Sequence, residues 1–142
     1  EGQQPMREDT YTLGKLMKSA GYTTGIFGKW GLGNPGSVSI PNKMGFDEFY
    51  GYNCQRQSHS FYPDHLWHNE EKVLFPENEN NACKTYSQDL IHEQALKFIR
   101  DHKEQPFFAM LTYTLPHAEL NLPHDSVYRN HHNRNPPWTF SR

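Results

Sequence analysis

The sequence is poor in apolar residues, in cysteine and in surplus charge. Hydrophobic residues fill 35% of its 142 positions and the mean hydropathy is −0.93. Its longest apolar runs fall far short of the roughly 20 residues a membrane-spanning helix needs, and no leader pattern is visible. Fourteen Lys and Arg against sixteen Asp and Glu give a net charge of −2. With no basic face there is no reason to expect a nucleic-acid partner. Two cysteines, Cys54 and Cys83, match no zinc spacing and permit one disulfide at most. Unbridged thiols are the preferred reading. Also missing are an initiating methionine before "EGQQPMRED" and a closing element in "NRNPPWTFSR". The sequence therefore reads as a piece of a longer protein, one domain or part of one.

What is present is ordered. Aromatics reach 14%, enough to build a core. Leu13, Leu16, Met17 and Ala20 recur at helical spacing, which predicts a helix over 10–20 with that face buried, capped by Asp9 or Thr10 and stopped by Gly21. "TTGIF" at 23–27 predicts a buried strand, and 28–41 a loop. A hairpin is expected in "HLWHNEEKVLF", turning at Asn69-Glu70-Glu71. Ile91, Ala95, Phe98 and Ile99 share a helical face, predicting a helix over 85–103 capped by a Thr85–Gln88 box or by Ser87. "FFAMLTY" at 107–113 predicts a second buried strand. The order suits an α/β sheet with helices on its faces. In such sheets ligands bind beyond the carboxyl ends of the strands.

Two residues sit there. Lys29 follows the first strand, beside Gly28, Gly31, Gly33 and Gly36, and His117 follows the second. Glycines let a ligand approach the backbone, a lysine ammonium in a dry cleft holds a tetrahedral anion, and a histidine can donate to it or protonate a leaving group. Trp30 is placed to pack under the loop and fix Lys29. If the strands are parallel neighbours, the pair suits cleavage of a sulfate or phosphate ester. Each residue alone is ordinarily a surface or structural one; the pairing carries the functional reading.

Three blocks extend this. "TLGKLMKSAGYTTGIFGKWGLG", "MGFDEFYGY" and "PFFAMLTYTLPHAEL" resemble, in the same order, the G-K-W-x-L-G, G-F-D-x-F-x-G and P-H blocks of the type I, formylglycine-dependent, arylsulfatase-like sulfatases. The resemblance implies an alkaline-phosphatase-like α/β sandwich with a mixed or parallel central sheet, of which 1–142 would be an internal part, and hydrolysis of sulfate esters. It places the sulfate-binding lysine on Lys29 and the histidine contacting sulfate and leaving group on His117. Where much of the family has a second histidine, this sequence has Gly31. The family's nucleophile motif, C/S-x-P-S/A-R, is absent, and neither "NCQRQ" nor "NACKT" supplies it. Its Asp-Asp and Asp-Asn calcium pairs are absent too. The resemblance thus implies that Ca2+ and the formylglycine belong to a longer enzyme, periplasmic or secreted, and that these 142 residues alone are inactive. Two helices and two strands cannot close a doubly covered sheet, so poor independent stability is expected as well.

Residues 53–84 form a variable insert and 121–142 a loop-rich tail. In the insert Gln55, Arg56, Gln57 and His59 offer donors for sugar hydroxyls or a second anion, and nearby aromatics offer a stacking surface; Gln55, Arg56 and His59 are taken as substrate-binding candidates. The competing reading is a polar loop held by Phe61, Tyr62 and Trp67. No carboxylate or cysteine supports a metal site at His124, His131 and His132, so none is assigned. Asp47 reads as structural. The leading expectation is a sulfatase acting on a sulfated carbohydrate. The alternatives are a phosphate or phosphonate monoester hydrolase of the same superfamily and a non-catalytic module that binds sulfated glycans.

Overall fold

The computed structural model describes residues 4–117 and Pro123. Along the chain run α1 (Leu13–Ser19), β1 (Thr23–Lys29), a 3-10 turn (Pro41–Met44), β2 (Glu48–Tyr52), β3 (His65–His68), β4 (Glu71–Leu74), α2 (Ser87–His102) and β5 (Phe107–Thr112). The strands form one sheet in the order β4-β3-β2-β1-β5. β2, β1 and β5 are mutually parallel, and β3 and β4 add an antiparallel hairpin on the β2 side.

Both faces of β1 and β2 are covered, which explains why β1 reads as an unbroken apolar run. Adjacent strand residues point to opposite faces. Phe27, Tyr50, Tyr52 and Leu66 lie with Ile91, Ala95 and Phe98 of α2 in one core. Ile26 and Phe49 lie with Trp30, Met44 and Phe46 in the other. The connection from β1 to β2 therefore covers one face, and α2, on the way to β5, covers the other.

The expected hairpin is present. Asn69 turns it at φ 55°, a left-handed backbone that Asn tolerates. Its Oδ1 accepts from Phe49 N and Asn42 Nδ2, each at 2.9 Å, pinning the hairpin to β2.

Several expectations need correction. α1 is shorter than 10–20, and its N-cap is Thr12, whose Oγ1 accepts from Lys15 N. Its apolar face is not in the core: Leu13 is 51% and Leu16 45% exposed, and the helix buries Gly14 instead. Periodicity identifies a face but not its neighbour. α2 lacks the capping box: Thr85 Oγ1 donates to Glu77, Gln88 Nε2 to Tyr52 Oη, and Ser87 Oγ to Phe61 O. These side chains are drawn into tertiary bonds, and the N-cap position is Tyr86. β1 runs two residues further than expected, so Lys29 is the last residue of the strand and not part of the loop.

Candidate active site

In the parallel part the chain leaves β1 for β2 on one side, then crosses over to β5 on the other. The reversal lies between β1 and β5, and in open α/β sheets the crevice at the carboxyl ends of such a reversal is where ligands bind. Lys29 ends β1 at this crevice, and the segment carrying His117 leaves β5 beside it.

Lys29 is held by what surrounds it. Gly28, at φ 125°, faces Gly51, at φ 152°, across the β1–β2 pair. A Cβ on Gly28 would lie 2.2 Å from Thr112 O, and one on Gly51 would lie 1.9 Å from Gly28 O. Only glycine lets the three strands close up just below the edge. Beyond Lys29, Trp30 N donates to Tyr52 O at 2.9 Å and Gly31 N to Asn53 O at 3.3 Å. The Trp30 ring is buried in the core and its Nε1 donates to Ser39 O at 2.8 Å. The side chain of Lys29 is half-buried, yet among the described residues it makes no ion pair and no hydrogen bond, unlike Lys18 with Asp47 or Lys97 with Asp101. A partly desolvated cation without a counter-charge is unfavourable until an anion arrives.

His117 is half-buried, and its Nδ1, shielded from solvent, has no hydrogen-bond partner among the described residues. Its ring lies against that of His59, with centroids 4.7 Å apart and planes tilted by 36°. His59 leaves from β2 and His117 from β5, on opposite sides of β1. The two rings therefore meet from the strands on either side of the one that Lys29 ends.

The segment bearing His59 is anchored from below. It forms a 3-10 turn, Gln57–His59, held by Ser58 Oγ donating to Gln55 O at 2.7 Å and Ser60 N to Gln57 O at 3.0 Å. The buried Tyr52 hydroxyl donates to Ser60 O at 2.8 Å and also meets Ser87 Oγ, while Phe61 is fully buried. Tyr52 thus ties the turn to β2 and α2. The sequence shows no motif marking it as a positioning residue.

The other candidates separate. Arg56 is exposed at the start of the same turn, and Gln55 is exposed beside it. Gln57 is not available to a sugar, because its Nε2 donates to His65 O at 2.7 Å. The aromatics of the insert serve the fold: Phe61 is core, Tyr62 packs on Tyr86 at 5.3 Å, and Trp67 packs against the Trp30 cluster. Asp47 is structural, its Oδ2 accepting from Thr24 N and Thr24 Oγ1 at 3.0 Å each. Burial raises its carboxyl, but the bonds from Lys18 and Thr24 outweigh this and lower it overall. Cys54 and Cys83 are not bridged. His124, His131 and His132 lie outside the described residues. Among the described residues no three His, Cys, Asp or Glu gather as a metal site, so no residue here is assigned to calcium. No helix among them is long and apolar enough to cross a membrane.

The sulfatase family model matches residues 2–139. This chain belongs to the sulfatase family. It is 31% identical over 127 residues to an arylsulfatase of Hemicentrotus pulcherrimus, covering 77% of this chain and 22% of that one. It is 32% identical over 121 residues to the mouse N-acetylgalactosamine-6-sulfatase, covering 78% and 23%. Among solved structures, Ps i-CgsB in complex with k-i-k-neocarrahexaose superposes with a TM-score of 0.72 at 26% identity, over 94% of this chain and 33% of that one. A protein solved with its substrate D-glucosamine-2-N,6-O-disulfate superposes at 0.63 with 25% identity, over 94% and 25%. The chain thus spans about a fifth to a third of the sulfatases it matches. The fold is the α/β, alkaline-phosphatase-like one, with a mixed sheet.

Proposed function

We propose that this chain is the central part of the catalytic domain of a sulfatase that hydrolyses sulfate monoesters on a sulfated carbohydrate. The observation that carries the reading is the half-buried Lys29, unpaired among the described residues at the reversal point of the sheet, in a chain of this family. The carbohydrate preference draws on relatives named for N-acetylgalactosamine-6-sulfate and on neighbours solved with a neocarrahexaose and a glucosamine disulfate.

In this reading the Lys29 ammonium holds the sulfate oxygens in a low-dielectric crevice, where its attraction is far stronger than in water. As the bond from sulfur to the ester oxygen breaks, that oxygen takes the electron pair and His117 gives it a proton. Arg56 and Gln55, exposed on the turn after β2, face the sugar. A formylglycine nucleophile, and the ligands of a calcium ion that would add positive charge near the sulfate, would be supplied by other residues of the longer protein. Export to the periplasm or outside the cell accords with a sulfated glycan as substrate.

The test is turnover by the full-length protein on matched sulfate and phosphate esters of N-acetylhexosamines. Sulfate release is expected, falling by about 10²- to 10³-fold in Lys29→Ala with the thermal midpoint unchanged. A preference for the phosphate ester on the order of a thousandfold would replace the reading with a phosphomonoesterase. Binding of the sulfated sugar with no turnover would replace it with a glycan-binding module.

A further inference from the structure

We infer that His59 is a second catalytic imidazole of this site, holding an oxygen of the sulfate ester alongside His117 and across from Lys29. The inference rests on the sulfatase reading and deepens it. Three observations carry it.

The first is the contact itself. The His59 and His117 rings lie against each other with centroids 4.7 Å apart and planes tilted by 36°. They come to it from β2 and β5, the two strands that flank β1. Two imidazoles in contact can turn N–H groups toward one tetrahedral anion.

The second is that β1's own exit offers no imidazole. The residue two beyond Lys29 is Gly31, at φ 73°, with its N–H bonded back to Asn53 O. The β1 and β2 exits are laced together by this bond and by Trp30 N to Tyr52 O. The next histidine to leave that laced edge is His59.

The third is that His59 is exposed yet its backbone is fixed. Its N–H donates to Arg56 O at 3.3 Å, and the residues on either side are held by Ser58 Oγ and by the Tyr52 hydroxyl. A solvent-facing ring on a rigid turn suits a residue that meets a ligand. Among the described residues the side chain of His59 makes no hydrogen bond or ion pair, and the buried Nδ1 of His117 also has no partner. Both rings therefore retain unused polar capacity.

The deciding comparison is between two variants of the full-length protein. His59→Ala removes the ring. His59→Phe keeps a ring to stack on His117 but removes the N–H. Both are expected to lose about 100-fold in kcat/KM on the sulfated sugar, and both to weaken competitive inhibition by inorganic sulfate about tenfold. If His59→Phe keeps kcat/KM and sulfate inhibition within about threefold of the wild type, the ring only packs and the inference is overturned. His59 is exposed, so loss of folding is not expected; thermal midpoints of both variants check this, and His59→Leu replaces either that fails. Lys29→Ala, measured beside them, separates the two levels. If it is inactive while His59→Phe is active, only the role of His59 falls. If the wild type neither cleaves the ester nor binds sulfate by calorimetry, the sulfatase reading falls and takes the inference with it.

Discussion

At the scale of single residues, the account turns on a cation and the imidazoles around it. The placement of Lys29 at the end of one buried strand and of His117 beyond a second was legible in the sequence, and β1 and β5 are parallel neighbours; the roles given to both residues are proposals. The partnership of His59 with His117 was not legible, because it depends on β5 crossing to the far side of β1, which no local spacing encodes. His59 stood out only as one donor among Gln55, Arg56 and Gln57, and the fold uses Gln57 itself. The role given to His117 predicts a pattern rather than a bare loss. His117→Ala should lower kcat/KM by about 10² on an unactivated sugar sulfate and by much less on an aryl sulfate whose phenolate leaves without a proton. Comparing the two substrates checks it; equal losses on both would remove His117 from proton transfer.

At the scale of elements, β1, β5 and the hairpin were legible, β2 was not expected as a strand, and element ends were missed. A continuous apolar run betrayed β1 because both of its faces are covered. The Thr85–Gln88 box failed because Gln88 bonds Tyr52 and Thr85 bonds Glu77, and a sequence pattern cannot announce that a side chain is wanted elsewhere. The entry to β1 carries its own pH-dependent clamp. Asp47 receives Lys18 and two bonds from Thr24, and together these lower its carboxyl despite partial burial. A carboxyl lowered in the folded state stabilises fully above the ordinary Asp value of about 3.9, and that stabilisation is lost as pH falls through the lowered value. Asp47→Asn should therefore have a lower thermal midpoint than the wild type at pH 7, with the gap narrowing toward pH 3. Midpoints of the full-length protein across that range measure it, and a gap that widens on acidification would contradict the sign.

At the scale of the whole molecule, β5 is an edge strand whose residues are nearly all half-bare, with Leu111 47% exposed, and α1 turns Leu13 and Leu16 outward. A parallel strand is ordinarily buried on both faces and paired on both edges. The exposed surface agrees with a chain spanning about a fifth to a third of the sulfatases it matches; the apolar face of α1 was legible, but among the described residues Leu13 and Leu16 stay exposed. The proposed site draws on the exits of three adjacent strands, β2, β1 and β5, all among the described residues. The central claim is that Lys29 shares one anion with the imidazoles that meet above it. A crystal structure of the full-length protein with bound sulfate tests this most directly. The account predicts one sulfate with an oxygen about 3 Å from Lys29 Nζ and others within hydrogen-bond reach of the His117 and His59 rings. A sulfate bound elsewhere, with Lys29 paired to a carboxylate of the same protein, would contradict it.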